Sequence, residues 1–344
     1  MLMHLCDRWR VEIARVGCLD RNNSKSTEVG ENRGRMAATP GEITSLGYRD
    51  VFWRVFAGFT EDRVTLVAAG ATYYLLLALF PALAALVSLY GVFSDPLTIA
   101  KHIAFLSTTL PPGGFDIIVS QLDALSQQKN STLSFGVITG FMVALWSANN
   151  GIKALFEAMN VAYGEKEKRG IIRLNLNSLG FTFGALVVAI ALIITIGVVP
   201  AILGYLWLDQ WTEFLAKIAR WPFLLLIVGC GITMMYRYGP SREAAKLRWI
   251  TWGATLSTLL WLAASFFFSL YLENFADYNA TYGTLGALIG LMVWTWISVI
   301  ILILGAELNA ELEHQTTIDS TTGKPVPMGE RGAYVADTIG EQSS

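Results

Sequence analysis

The chain has 344 residues, 53% of them hydrophobic and only 15% charged, with a formal net charge of −2 and a mean hydropathy of +0.48. Soluble domains carry about 25% charged residues, so the composition excludes a water-soluble globular protein, and the charge balance excludes a nucleic-acid binder with a basic face. It points to an all-α polytopic membrane protein.

Residues 1–42 are polar and basic, lack apolar periodicity and read as a disordered tail, with Met36 in RGRMAATP as an alternative start. The membrane domain is expected over 43–315, and a second disordered tail over 316–344. Between residues 46 and 62, Phe52, Val55, Phe56 and Phe59 share one helical face, with Arg49, Asp50, Arg54 and Asp62 elsewhere. That pattern predicts either a helix lying in the membrane interface or an elbow that orients the first span.

A helix needs about 20 mainly apolar residues to cross a bilayer. Six segments qualify, at about 64–92, 133–155, 176–205, 221–238, 249–274 and 282–308. They do not alternate polar with apolar residues, which excludes barrel strands. Pro81 lies inside the first and predicts a kink one turn before it. The connection 94–132 carries Asp95-Pro96, a good helix start, then LPPGG, then Phe115, Ile118, Val119, Leu122 and Leu125 on one face. Two short amphipathic helices on the outer surface are expected there.

The second span turns polar without a stop signal, in LWSANNGIKALFEAMN (145–160). The apolar run before it is too short to span alone, so the helix must continue. On a helical wheel Asn149, Asn150, Lys153, Glu157 and Asn160 share an arc of about 100°. Lys153 and Glu157 are spaced to pair one turn apart. Asn149 and Asn150, set deeper, either hydrogen-bond neighbouring helices or line a polar cavity.

Tyr205, Trp207, Trp211 and Trp221 form an aromatic belt around the third connection. DYNATYGTLG joins the last two spans in a tight hairpin at Tyr282-Gly283. The sixth span closes on GAELNAELE (305–313), where Glu307 and Asn309 follow an unbroken apolar run. A carboxylate near a helix C-terminus is mildly unfavourable, which calls for a partner among Arg173, Arg237, Arg242 and Lys246. If the second and sixth spans touch, their polar ends would enclose a pocket. Small-residue pairs at Gly136/Gly140, Gly180/Gly184 and Gly286/Gly290 allow close helix packing, within one bundle or between copies.

Lys and Arg divide 21 against 4 between alternate sides of the six segments, which places both termini in the cytoplasm. Cys6, Cys18 and Cys230 lack metal or redox spacing, and His4, His102 and His314 are scattered. No catalytic residue, metal or cofactor is therefore expected, and there is no phosphate-binding Gly-rich motif.

In order and spacing, AAGATYYLLLALFPALAAL (68–86), LPP (110–112), LWSANNGIKALFEAMNVAYG (145–164), the YG at 282–283 and GAELNAELE (305–313) resemble the YihY/virulence factor BrkB family. The likeness covers about residues 45–315. Ala78 stands where the family pattern often has Ser, and Trp252-Gly253-Ala254 where it often has Pro-Gly-Ala. The resemblance implies a six-span protein of the bacterial inner membrane, and a ribonuclease label that these residues do not support. Its partners would be membrane lipids and no nucleic acid, with a homo-oligomer or envelope partner left open. The expected function is a transporter or permease for a lipid or other amphiphile, through Asn149, Asn150, Lys153, Glu157, Asn160, Glu307 and Asn309. The alternative is an envelope scaffold that does no chemistry.

Overall fold

The computed structural model describes residues 33–93, 130–193, 210–274 and 285–342. Six long helices coincide with the six apolar segments: α2 (Val64–Phe93), α3 (Asn130–Ala162), α4 (Ile171–Ile193), α5 (Gln210–Tyr238), α6 (Leu247–Asn274) and α7 (Leu285–Glu313). They are preceded by α1 (Ser45–Glu61) and followed by a short α8 (Tyr334–Asp337). No named strand occurs among the described residues. By length and hydropathy Ile171–Val188, Leu247–Leu272 and Leu288–Glu313 are each able to cross a membrane, and Val64–Ala78 and Pro222–Tyr238 are shorter apolar helices. Pro81 falls inside α2, which is helical on both sides of it.

Neighbours in sequence are neighbours in space from α2 to α7, and α7 closes the ring on α2 while also touching α1 and α3. The core is cut by helical periodicity. Ile152, Leu155, Phe156, Met159 and Ala162 form the buried stripe of α3, and Val299, Ile303, Ala306 and Ala310 that of α7. Outside the stripes the surface stays apolar. Leu66, Trp146, Phe183, Leu226, Leu259, Phe266 and Phe267 are all exposed, as expected of helices solvated by lipid rather than water.

A close helix crossing lies between α6 and α7. A side chain on Gly253 would meet the Gly305 carbonyl, and one on Gly305 would meet Ser257 and the Tyr236 hydroxyl. Tyr236 donates to the Leu302 carbonyl at 2.7 Å and Ser257 to that of Ile301 at 3.0 Å, so α5, α6 and α7 are tied together where both glycines admit them. The GxxxG pairs behave differently. Gly286 is buried and Gly290 meets Leu272 at 3.8 Å, whereas Gly180 and Gly184 face open space. Gly136 and Gly140 lie on α3 where the surroundings are outside the described residues.

One end of the bundle gathers the charge. Residues 33–44, 163–170, 239–246 and 314–342 pack together there. Lys168 N–H donates to Ser241 at 2.9 Å, Ser241 N–H to Asn160 at 2.7 Å, and Tyr334 N–H to Glu165 at 2.7 Å. Two sequence expectations need correction at this end. Residues 316–342, expected to be a disordered tail, are ordered, with Thr316, Ser320, Thr321, Val335 and Ala336 buried. The segment lacks the apolar runs that would announce a core, and backbone pairing holds it instead. Lys246 and Thr322 N–H groups donate to the Ser320 and Ala244 carbonyls, and the Arg331 guanidinium donates to Thr317 and Ala336. Residues 33–42 likewise belong to the folded body, with Thr316 donating to the Ala37 carbonyl at 2.7 Å.

α1 turns Asp50 and Arg54 toward the bundle end. Asp50 is fully buried and pairs with Arg33 at 2.6 Å, and Arg54 pairs with Glu311. Phe52, Trp53 and Phe56 point outward and stack edge to face. Asp50 and Arg54 thus meet the bundle end while Arg49 stays exposed, and of the aromatic stripe Phe59 packs against the core.

Candidate functional site

α4 and α5 splay apart and leave a cavity of about 1220 Å³ between them. Its walls are apolar: Leu176, Phe181, Val188, Leu226, Ile227 and Ile232. Gly180, Gly184 and Gly231 contribute no side chains to fill it, and each faces open space. The cavity extends along α4 from Arg173 to Val188, roughly 22 Å at the α-helical rise.

Its end at the charged loops carries Lys168, Arg169, Arg173, Arg237, Arg242 and Glu243. Three of the cations are already paired. Lys168 binds Glu165 and Arg169 binds Glu167, each at 2.7 Å, and Arg242 binds Glu313 at 2.7 Å. Burial opposes the charge of Glu167, but hydrogen bonds from Arg169 and Asn160 outweigh it and hold the carboxyl down at about 2. Arg242 also stacks over Tyr163, and Arg169 over Phe156, each 4.9 Å from the ring centroid. Arg173 and Arg237 have no ion pair among the described residues, and the buried Nε of Arg237 has no hydrogen-bond partner.

The polar residues of α3 disperse. Asn149 is buried and its amide donates to Asn175 of α4 at 3.3 Å, while its Oδ1 is buried without a hydrogen-bond partner among the described residues. Asn150 and Lys153 are half-buried and Glu157 is exposed; Lys153 and Glu157 form no ion pair among the described residues. Asn160 is a latch between loops: its amide donates to Glu167 at 3.2 Å and its carbonyl accepts from Ser241 N–H. Helical spacing puts these residues on one arc, but each meets a different neighbour at its own depth.

On α7, Asn309 accepts from the Gly253 N–H at 2.8 Å. Glu307 meets none of the four cations considered for it. A side chain on Gly58 would begin 3.3 Å from the Glu307 Oε2 and 3.8 Å from the Asp62 carboxyl, and the Glu307 Oε1 is buried without a partner among the described residues. Asp62 closes α1 just before Arg63, whose φ of 50° makes the turn into α2. Burial pushes the Asp62 carboxyl up, a hydrogen bond with Glu307 works against that, and the charges of Glu61 and Glu311 add to it. Among the described residues no hydrogen bond or ion pair joins Glu307 or Asn309 to the polar arc of α3.

Sequence reasoning missed the Gly253–Gly305 crossing and the cavity. Arg173 and Arg237 were visible as cations at this end, yet nothing in their spacing showed that α4 and α5 would separate. The outer helices expected over 94–129, the aromatic pair Tyr205 and Trp207, and Tyr282-Gly283 lie outside the described residues. Among the described residues no three His, Cys, Asp or Glu side chains gather to hold a metal.

The family model for virulence factor BrkB matches residues 55–328. Similar proteins include the ribonuclease-like protein YfkH of Bacillus subtilis (strain 168), 32% identical over 75% of this chain and 93% of that protein. A UPF0761 membrane protein of Neisseria meningitidis serogroup B is 24% identical over 76% of this chain, a match that spans 63% of the relative. Another, from Pseudoalteromonas translucida, is 26% identical over 76% of this chain and 85% of the relative. No solved structure matches.

Proposed function

Because the chain belongs to the virulence factor BrkB family of membrane proteins, we propose that it is a six-span permease of the bacterial inner membrane that moves a lipid or other amphiphile. In this reading the charged end faces the cytoplasm, which agrees with the excess of Lys and Arg in the segments gathered there. The cavity between α4 and α5 carries the proposal. It joins a charged end to an apolar wall along one helix pair, the surface an amphiphile needs on its way between leaflets. α1, with Phe52, Trp53 and Phe56 outward, anchors the bundle in the interface.

The test is translocation in proteoliposomes. Purified protein is reconstituted with head-group-labelled phospholipid, and a membrane-impermeant quencher reports only the outer leaflet. Quenching should go beyond the outer-leaflet fraction with the native chain and fall back with Gly184→Leu, which fills the cavity at an open position. Translocation absent from well-folded protein, with and without a proton gradient, overturns the proposal. The scaffold alternative draws on the open Gly180/Gly184 face and predicts a native complex that Gly184→Leu breaks. The ribonuclease-like name of the Bacillus relative gains no support from these residues, and cleavage by purified protein that a point mutation abolishes would be needed to revive it.

A further inference from the structure

We infer that the charged end of the α4/α5 cavity is a binding site for the anionic head group of a lipid, held between Arg173 and Arg237. The inference rests on the permease reading for its biological sense, but its chemistry stands on separate observations.

The first is charge. Of the five cations at that end, Lys168, Arg169 and Arg242 already have carboxylate partners. Glu243 is the only acidic side chain on the lining, and its backbone carbonyl, not its carboxylate, accepts from Arg242. Arg173 and Arg237 are left with positive charge unmatched among the described residues. The Arg237 Nε is buried with its hydrogen unused, and Arg237 Cζ lies 5.5 Å from the Tyr238 ring centroid. A planar guanidinium fixed against a ring, with free N–H groups, is suited to a phosphate or carboxylate.

The second is position. Arg173 stands in the first turn of α4, where the helix dipole also favours an anion. Arg237 stands in the last turn of α5, across the cavity end. An anion between them would sit at the depth where head groups lie.

The third is length. The lined stretch of α4 is roughly 22 Å, longer than the half-thickness of a bilayer core, about 15 Å. Three glycines leave the apolar wall open. A small water-soluble anion has no use for such a wall, whereas an acyl chain below the head group would fill it. The occupant is therefore a lipid of the adjacent leaflet with a net negative head.

The test is native mass spectrometry of the full chain released from mixed bilayers, with phosphatidylglycerol and phosphatidylethanolamine of identical chains as probes. The native protein should retain the anionic lipid about tenfold over the zwitterionic one, as two interfacial cations imply. Arg173→Gln combined with Arg237→Gln should bring the ratio close to one. Gly184→Leu should reduce retention of both lipids without changing their ratio. No preference in the native chain, or a preference that survives the double variant, overturns the inference. Displacement of the lipid by millimolar glycerol phosphate would do so too, because the site would then be one for a soluble anion. Translocation without charge preference would leave the permease standing and this site refuted, and a preference without translocation the reverse.

Discussion

Arg242 and Glu313 face each other through both guanidinium nitrogens, at 3.2 and 2.7 Å, with side chains only 2% and 0% exposed. Burial works against the Arg242 charge, but Glu313 outweighs it and the guanidinium stays protonated. Ser320 adds a hydrogen bond to the same carboxylate at 2.7 Å. The pair therefore pins the α5–α6 loop and the C-terminal segment to the end of α7.

Glu313→Gln leaves Arg242 buried without its counter-charge, which costs about 3–5 kcal/mol. Thermal unfolding in detergent should show a large drop in midpoint. Adding Arg242→Met should recover part of it, since the stranded charge goes with the second substitution.

The two kinds of glycine should respond oppositely to alanine. Gly305→Ala drives a methyl into Ser257 and Tyr236 and should cost about 1–3 kcal/mol or more. Gly184→Ala meets nothing and should gain about 0.5–1 kcal/mol through helix propensity. Paired unfolding midpoints of the two variants check both signs.

Glu167 has a carboxyl held at about 2 against an ordinary 4.5. Its folded value is depressed, so its contribution is complete above about pH 4.5 and lost as pH falls toward 2. Protection of the amides of residues 163–170, taken against the intrinsic exchange rate at each pH, should fall across that window. Glu167→Gln should flatten the change, at the cost of faster exchange at neutral pH.

Asp62 has the opposite sign. Its carboxyl is pushed up by burial, so its ionisation weakens the fold as pH rises past its ordinary 3.8. Asp62→Asn should raise the unfolding midpoint at neutral pH, and the gain should fade on acidification toward that value. An unchanged difference across pH would show that Asp62 stays ionised at no cost.

Truncation after Thr317 removes the backbone hydrogen bonds to Ala244 and Lys246 and the Tyr334–Glu165 contact. The loop 239–246 should become sensitive to protease while α2–α7 still insert. Equal resistance with and without the segment would mean that the loop is held by Asn160 and Arg242 alone.

Some of this protein is written in local composition. Runs of apolar residues set the six long helices, because backbone groups in lipid must bond within their own segment. The gathering of Arg, Lys and their loops at one end matches the concentration of Lys and Arg in alternate connections of the sequence. The stripe of Phe52 and Phe56 on α1 was legible too, but nothing in its spacing showed that Asp50 and Arg54 would reach Arg33 and Glu311. The C-terminal segment was misread because hydrogen bonds to distant backbone leave no hydrophobic signal. On α3, Asn149 and Asn160 took separate partners, since depth and neighbour are properties of the assembled bundle. Tertiary structure alone decided that Gly253 and Gly305 carry a close crossing while Gly180 and Gly184 carry none. A glycine's role depends on what approaches it, and that approach, like the separation of α4 from α5 that opens the cavity, is set by the packing of helices far apart in sequence.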